Sequence, residues 1–177
     1  MEITIRQPGV LTTIQDLGRP GRRRLGLTPG GAMDSLSFRL ANLLVGNPEN
    51  SAALEMTLHG AELHFDRDAL VAICGGDFAV SIKGTEQSTA RPFRVAAGST
   101  LSVAGARRGC RAYLAIAGEF EIGLKLGGRG TDLRAGLGGF QGRALRVSDV
   151  LKGRDLEIPS VADGWFVADD CLPVCSG

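Results

Sequence analysis

The chain of 177 residues is long enough for one large domain, and its 44% hydrophobic and 22% charged residues exclude a disordered chain, a collagen and a simple coiled coil. Aromatic side chains that could stack on bases are few, with one Trp, one Tyr and seven Phe, and the net charge is only +1. We therefore expect no nucleic-acid partner. The sequence lacks both an apolar run of the roughly 18 residues that a membrane span needs and a leader-like start, so we expect a cytoplasmic protein with no membrane partner.

The first third of the chain is predicted to hold strands, a loop and one helix. Residues 3–14 alternate between apolar and polar side chains, which indicates a strand or a hairpin. Residues 15–33 are rich in Gly and Pro, which indicates a loop. Asp34 then stands where a helix N-cap belongs. Four leucines recur after it on one helical face: Leu36, Leu40, Leu43 and Leu44. We therefore expect one principal α-helix at about residues 35–45.

After Pro48 the apolar period changes from that of a helix to the alternation of strands. Further strands are predicted at residues 54–58, 62–65, 69–74, 78–82, 93–95, 100–103, 111–117 and 145–147. Many short strands at roughly even spacing are typical of a barrel or a sandwich, so we expect a mainly β fold. We place one domain at residues 1–152 and an acidic tail of weak pattern at residues 153–177.

Charge is distributed unevenly along the chain. Residues 91–146 hold ten Lys or Arg and three acids, whereas residues 147–177 hold two and six. Seventeen of the twenty basic residues are Arg, whose forked guanidinium suits carboxylates and phosphates. The arginine-rich part is therefore either a site for a small anionic ligand or a solvated basic face.

The first polar group in a loop is Gln15, Asp16 and Arg19, within five residues of a turn rich in Gly and Pro. Such a loop can hold an amide, a carboxylate and a guanidinium in fixed directions toward a substrate. Alternatively, the same residues form an Asx turn with a local ion pair between Asp16 and Arg19.

The second group precedes the predicted helix. Gly30 and Gly31 allow the backbone to approach a ligand closely, and a helix N-terminus attracts anions. Asp34 argues against an anion, because as an N-cap it would use some of the same N–H groups and would repel negative charge. Two interpretations therefore remain: an anion site, or a capped helix that follows a tight turn.

A third group, residues 126–131, has the composition of a phosphate-binding loop. It lacks the Gly-Lys-Ser/Thr ending that places a lysine on phosphates, so it is not a P-loop. Two further carboxylates, Glu55 and Asp77, lie among apolar residues of the sequence. A buried acid can transfer protons, but more often it accepts backbone hydrogen bonds.

The cysteines and histidines do not have the spacing of a metal site. The four cysteines are Cys74, Cys110, Cys171 and Cys175. A zinc site usually needs a second Cys or His pair, and the two histidines, His59 and His64, lie far from the last two cysteines. We therefore expect no metal site.

The order of eight short motifs resembles a known family. They are QDLGR at 15–19, PGGAMD at 29–34, ANLLVGN at 41–47, ALE at 53–55, GGD at 75–77, RAYLA at 111–115, LGGRGT at 126–131 and GGFQGR at 138–143. Together they resemble the biotin-dependent carboxyltransferase subdomain A/B family, which includes allophanate hydrolase subunit 2, KipA-type proteins and the C subunit of 5-oxoprolinase. The resemblance covers about residues 1–152.

This resemblance implies a cyclophilin-like β-barrel that works beside a subunit-1 or KipI-like partner and, in the oxoprolinases, a lactam-hydrolase subunit. It implies chemistry on small amides and carboxylates: carboxylation of urea or allophanate, or ATP-dependent opening of 5-oxoproline. ATP would be used through the assembled complex, and a carboxylation would need carboxybiotin. The alternative within the family is a KipA-type regulatory module that binds a KipI-like partner and has no catalysis of its own.

The chain departs from the family pattern in two ways. Family members are usually longer, with a second β-domain after the stretch that ends here near Lys152. The family's Gly-Ser-Arg-Ser-Thr is Gly127–Thr131 here, with glycine at both serine positions. We therefore interpret the chain as a truncated member that is inactive alone.

The resemblance and the polar loops together give the candidate site residues. Catalytic candidates, which would move a proton or orient a substrate amide, are Asp16, Asp34 and Asp77. Substrate-binding candidates are Gln15, Arg19, Gly30, Gly31, Arg111, Arg129 and Thr131. The three arginines are chosen because a guanidinium can bind a carboxylate or a phosphate through two parallel hydrogen bonds.

Overall fold

The structure is a computed structural model, and it describes residues 1–154 and 166–168. Within these residues, one α-helix, α1, spans Ser35–Leu44, and one 3-10 turn spans Arg23–Leu25. The strands are β1 Glu2–Gln7, β2 Leu11–Gln15, β3 Ala53–Thr57, β4 Glu62–Phe65, β5 Ala69–Ile82, β6 Thr85–Glu86, β7 Pro92–Val95, β8 Thr100–Ile116 and β9 Val150–Lys152.

All nine strands belong to one sheet whose pairings are antiparallel. The main path runs β2-β3-β8-β4-β1-β9, and β5 pairs with β8, β6 and β7. The sheet curls into a half-barrel. A mainly β fold with one helix near residues 35–45 is therefore confirmed.

Two strands are longer than the sequence indicated. The predicted strands at 69–74 and 78–82 form one strand, β5, and those at 100–103 and 111–117 are joined in β8, which ends one residue earlier, at Ile116. Gly75 does not end β5 but pairs with Ala112 of β8. Its backbone, at φ +122°, lies so close to the Arg111 carbonyl that a residue with a Cβ would not fit there. The β5–β8 register shifts three times between Gly75 and Val80, which marks bulges that bend the pair.

Two other predictions at the ends of the fold differ from the structure. β1 and β2 do not form a hairpin, since β1 pairs with β4 and β9 while β2 pairs with β3. Residues 145–147 are not a strand; the strand lies later, at β9. Leu145 is nevertheless buried, and its N–H donates to the Thr12 carbonyl at 2.9 Å. Its apolar character therefore reports burial rather than strand pairing.

The core has two parts, one on each face of the central strands. The larger part fills the inside of the curl and includes Val71 and Ile73 of β5. The smaller lies beneath α1 and includes Leu70, Ala72 and Cys74, the alternate residues of the same strand. Because both faces of β5 are buried, its sequence from residue 69 to residue 74 is continuously apolar.

Helix α1 is where the leucine period predicted it, but only Leu40 and Leu44 of the four leucines pack in the core beneath it. The buried helix residues are Ser37, Phe38, Ala41, Asn42 and Leu44. Leu36 and Leu43, which belong to the predicted leucine face, are 50% and 45% exposed. The Phe38 ring packs edge-on against the Tyr113 ring at 5.9 Å, on the side of the helix opposite to the exposed Leu36 and Leu43.

In residues 1–154 and 166–168, no helix has the length and apolar character to cross a membrane. Most of the predicted acidic tail, including Cys171 and Cys175, lies outside the described residues. The described part of it touches the body of the fold through Val167, whose N–H donates to the Ala90 carbonyl at 2.9 Å.

Candidate functional site

Two loops meet at the end of β2, and we call their meeting place the loop junction: residues 15–31 against residues 125–142. The edge of β2 that does not pair with β3 receives the second loop. The Thr131 N–H and hydroxyl both donate to the Ile14 carbonyl, at 2.8 and 2.9 Å. This contact sets the glycine-rich loop directly beside Gln15 and Asp16.

Asp16 is 1% exposed and holds both loops. Its Oδ1 accepts from the Gly18 N–H at 2.8 Å, which is the Asx turn that the sequence allowed. Its Oδ2 accepts from the Arg129 N–H across the junction. The carboxylate therefore orders backbone, and both oxygens already have donors.

Arg19 is also 1% exposed, and it reaches into the glycine-rich loop. Its Nε donates to the Lys125 carbonyl at 3.1 Å and its Nη2 donates to the Gly130 carbonyl. Its backbone N–H donates to the Pro29 carbonyl at 2.6 Å. Nη1 is buried and has no hydrogen-bond partner among the described residues.

Gln15 joins the same junction. Its Nε2 donates to the Thr131 carbonyl at 3.3 Å and to the Thr13 hydroxyl at 3.1 Å. Its Oε1 is buried without a donor among the described residues. Gln15, Asp16, Arg19, Arg129 and Thr131, five of the predicted site residues, are therefore brought together.

Glycine at the two family serine positions lets the loops touch. An ideal Cβ on Gly128 would lie 2.6 Å from Cγ of Arg19, and one on Gly130 would lie 2.8 Å from Oε1 of Gln15. Real Cβ atoms essentially never approach other atoms so closely. The two glycines therefore allow Gln15 and Arg19 to occupy the space that serine side chains would need.

Gly30 and Gly31 belong to the other side of the junction. Gly31 has φ +96°, and an ideal Cβ there would lie 2.8 Å from the Gly18 nitrogen, so the loop crossing requires glycine. Gly30 has φ +60° and is exposed. Apart from its chain neighbours, one heavy atom of the described residues lies within 4 Å of an ideal Cβ at Gly30: Nη1 of Arg19, at 3.8 Å.

Arg129 is half-buried, and its Nε donates to the Ile122 carbonyl at 3.2 Å. Nearby, the Ala135 N–H, the Thr28 hydroxyl and the Arg134 N–H donate to Asp132, and together with the charge of Arg19 they lower the pKa of that carboxyl. Asp132 is thus a half-buried acid that is already hydrogen-bonded, and the side-chain donors of Arg19 and Arg129 bind only carbonyls.

Asp34 lies in a second group, at the start of α1. Its Oδ1 accepts from the Leu36 and Ser37 N–H groups at 3.1 and 3.0 Å, and its Oδ2 accepts from the Ser37 hydroxyl. Asp34 is therefore a helix N-cap in geometry. Its own N–H donates to the Tyr113 hydroxyl at 2.7 Å.

Glu55 and Tyr113 complete this second group; the sequence indicated Glu55 only as a carboxylate among apolar residues, and it did not indicate Tyr113. The Tyr113 hydroxyl donates to Glu55 Oε2 at 2.8 Å, and the Met33 N–H donates to the same oxygen at 2.9 Å. Burial, and then the charges of Glu55 and Asp34, raise the pKa of Tyr113. Glu55 and Tyr113 are cross-strand partners between β3 and β8, a pairing that no local motif reveals.

Arg111 belongs to the second group rather than to the loop junction. Its Nε lies 3.7 Å from Glu55 Oε1, and both side chains are largely buried. Below them, burial and the charge of Asp34 raise the pKa of Cys74 to about 12, so its thiol stays protonated. The predicted Arg111 is thus neutralised by Glu55.

Asp77 is placed apart from both groups. It is exposed on β5, where Arg107 Nη1 lies 3.9 Å from its Oδ1, and it lines a surface pocket with Glu86. The apolar neighbours in its sequence pack inward, while the pleat of the strand turns Asp77 outward. Within residues 1–154 and 166–168, no three His, Cys, Asp or Glu side chains are grouped to hold a metal ion.

The curled sheet and its loop junction define a carboxyltransferase-type domain. The family model for the carboxyltransferase domain, subdomain A and B, matches residues 25–168. The chain therefore belongs to this family.

Relatives and solved structures agree with this assignment. The chain is 43% identical over 174 residues to urea amidolyase of Saccharomyces cerevisiae, covering 98% of this chain and 9% of that protein. It is 37% identical over 149 residues to the C subunit of 5-oxoprolinase from Escherichia coli, covering 84% of this chain and 48% of that protein. The crystal structure of Kluyveromyces lactis urea carboxylase superimposes with a TM-score of 0.91 at 36% identity, covering 99% of this chain and 16% of that one.

The chain thus spans less than half the length of both curated relatives. The region that the family model matches begins at residue 25, so Gln15, Asp16 and Arg19 lie before it. Gly30, Gly31, Asp34 and the glycine-rich loop lie within it.

Proposed function

We propose that the chain is one part of a carboxyltransferase or of an ATP-dependent 5-oxoprolinase-type amide hydrolase that acts on small amides or carboxylates together with a partner subunit. The observation that carries the proposal is the loop junction: two loops joined through buried Gln15, Asp16 and Arg19, which gather amide and guanidinium groups in a chain of this family. Such a junction suits binding and orientation of a small polar substrate more than attack by a side-chain nucleophile.

The predicted roles divide between the two groups of residues. In the loop junction, Arg19 and Arg129 would bind a carboxylate, and Gln15 would bind an amide. Asp16 would hold the two loops at the right distance, because its oxygens accept two backbone N–H groups. Asp34 would fix the helix start beside the substrate, and its role in proton transfer remains part of the proposal.

The two implied cofactors fit the chain differently. The unpaired Nη1 of Arg19 fits a carboxylate such as that of carboxybiotin, which when bound supplies an activated carboxyl group. A nucleotide triphosphate does not fit the glycine-rich loop, because the N–H groups of Arg129, Thr131 and Gly139 already donate within the fold. We therefore assign any ATP use to another component of the complex.

Partners follow from the same proposal. Two curated relatives are named as the C subunit of 5-oxoprolinase, and that name indicates a protein of several subunits. We propose a subunit-1 or KipI-like partner and, for the oxoprolinase reaction, a lactam-hydrolase subunit.

The test is reconstitution. The purified chain is mixed with a subunit-1-type protein and a lactam-hydrolase component, and ATP-dependent glutamate release from 5-oxoproline is measured. A parallel assay supplies a biotin carboxylase with biotin carrier and measures bicarbonate incorporation into urea. Activity in one assay that requires this chain supports the proposal, and failure of both with complexes that demonstrably form contradicts it.

The alternative function is a KipA-type regulatory module, and one observation favours it. Leu36 and Leu43 of α1 are 50% and 45% exposed, and Met33, just before the helix, is 74% exposed; we call these three residues the apolar stripe. Apolar side chains grouped on a surface helix are typical of a protein interface. A KipI-like partner that binds the stripe would need no chemistry in the loop junction.

A further inference from the structure

Arg19 is a buried cation whose surroundings do not neutralise it. Its two hydrogen bonds go to the carbonyls of Lys125 and Gly130, which carry no net charge. No carboxylate of the described residues lies within 4.0 Å of its guanidinium nitrogens. Asp132 feels the charge of Arg19, but its oxygens accept from Thr28, Arg134 and Ala135 instead.

Such an arrangement is unfavourable unless something else supplies negative charge. Burying a guanidinium removes it from water, and the loss is recovered only when the charge is paired and its N–H groups are hydrogen-bonded. In Arg19 the pairing is missing at one atom, Nη1, which is buried without an acceptor among the described residues.

Nη1 lies directly beneath the position that a side chain on Gly30 would occupy. An ideal Cβ at Gly30 would be 3.8 Å from Nη1, with no other heavy atom within 4 Å apart from the chain neighbours of the glycine. Gly30 is exposed. The side-chain position of Gly30 is therefore open space that borders Nη1, and a group placed there would need only a small shift of the loop to reach that atom.

We propose that Arg19 Nη1 and the open side-chain position of Gly30 form a binding subsite for one carboxylate group of a small ligand. The inference rests on the proposed function and deepens it, because it names the part of a substrate that this site recognises. A carboxylate oxygen accepts well from a guanidinium N–H. A phosphate fits less well, because the nearby N–H groups of Arg129, Thr131 and Gly139 already donate within the fold.

The first experiment uses acetate as the probe on the whole 177-residue chain. Thermal melting at pH 7 is compared in sodium acetate, chloride and phosphate at equal ionic strength, and the arginine side-chain N–H signals are followed by NMR during each titration. We expect acetate to raise the melting temperature more than the other two anions and to shift the Arg19 signals. An acetate response equal to that of chloride would overturn the subsite, and a larger phosphate response would overturn the choice of a carboxylate.

The second experiment supplies the carboxylate from within the chain. Gly30→Asp places a carboxylate beside Nη1, and Gly30→Asn is the matched control with the same shape and no charge. Both residues tolerate the left-handed backbone of position 30 better than other side chains do. Circular dichroism first confirms that both variants fold.

We expect Gly30→Asp to melt at a higher temperature than Gly30→Asn at pH 7 and to bind acetate at least about tenfold more weakly than the parent chain. The difference in melting temperature should disappear as the pH falls below about 4, where an aspartate is protonated. Equal melting of the two folded variants at pH 7 would contradict the proposal.

These measurements need no enzymatic activity, so they can fail independently of the proposed reaction. Acetate binding in a chain that shows no activity in either reconstituted assay would keep the subsite and remove the reaction. Activity without an acetate response or a difference between the Asp and Asn variants would keep the reaction and remove the subsite.

Discussion

Asp34 is the residue whose structural and catalytic roles are easiest to separate. Its side chain accepts from two backbone N–H groups of the first turn of α1. We expect Asp34→Asn, which keeps that acceptor, to change the free energy of unfolding by less than about 1 kcal/mol, and Asp34→Ala to lower it by about 1 to 2 kcal/mol. Urea unfolding measures both, and equal losses would contradict the capping role. Full activity of the folded Asn variant in a reconstituted complex would remove Asp34 from the catalytic candidates.

Asp16 should respond differently to the same substitution. Both of its carboxylate oxygens accept from backbone N–H groups, one from Gly18 and one from Arg129. In Asp16→Asn an amide NH₂ must face one of these donors, so we expect the free energy of unfolding to fall by about 1 to 3 kcal/mol. Urea unfolding beside Asp34→Asn is the comparison, and equally mild effects of the two substitutions would show that the Asp16 hydrogen bonds do not stabilise the junction.

At the scale of residues, the sequence located the polar loops but not how their atoms are used. Gln15, Asp16, Arg19, Arg129 and Thr131 were selected from composition and resemblance, and the structure brings them together. The hydrogen-bond partners of these residues could not be predicted, because Asp16 and Arg19 bind backbone groups more than 100 positions away in the chain. Local spacing carries no information about contacts of that range.

At the scale of elements, the turn before β9 is held by an ion pair that makes stability depend on pH. Arg143 donates to both oxygens of Asp149 at 2.7 and 2.8 Å, and this lowers the pKa of Asp149. A carboxyl whose pKa is lower in the folded than in the unfolded chain stabilises the fold above its unfolded value, and that contribution is lost as the pH falls through the folded value.

We therefore expect the melting temperature of the chain to fall as the pH drops below about 4, the usual pKa of an unfolded aspartate. The fall should be shallower in Asp149→Asn, which has no carboxylate to protonate at that position. Melting curves from pH 7 to pH 2 measure both chains. Parallel pH profiles would mean that the Arg143–Asp149 pair does not contribute to acid sensitivity.

Helix α1 offers a second prediction at this scale. Leu43→Glu changes a residue of the apolar stripe that is 45% exposed, so the free energy of unfolding should change by no more than about 0.5 kcal/mol. If the stripe binds a partner, the variant should co-purify with a KipI-like protein far less than the parent chain does. Val147→Glu, at a residue 61% exposed outside the helix, is the matched control. Equal capture of both variants would exclude the stripe as the interface.

The helix also shows where reasoning from periodicity reaches its limit. Four leucines at helical spacing predicted the right element but only part of its buried face, because Leu40 and Leu44 pack in the core while Leu36 and Leu43 are exposed. In β5 the opposite occurred, since Gly75 looked like a turn but forms a bulge within one long strand. Both features depend on contacts with strand β8: Phe38 of α1 packs on Tyr113, and β5 pairs with β8 through the bulge. These contacts are long-range in sequence, so a local pattern does not show them.

At the scale of the whole molecule, the chain covers only part of the curated relatives that it matches. We expect the isolated 177-residue chain to show no ATP-dependent opening of 5-oxoproline, because the loop junction offers no site for a nucleotide triphosphate. Glutamate release by the purified chain, measured against a heat-killed sample, is the assay. Release well above that blank would contradict the proposal that ATP is handled by another component.

β9 pairs with β1 in register from Glu2 to Thr4, and the chain start lies beside Gly153, where the Gly153 N–H donates to the Met1 carbonyl at 3.0 Å. The described domain is therefore entered and left at neighbouring points on one edge of the sheet. A unit with adjacent entry and exit can be inserted into a longer polypeptide without separating the segments on either side. The same geometry also delays completion of this sheet during synthesis, because β1 gains its outer partner only when residues 150–152 have emerged from the ribosome.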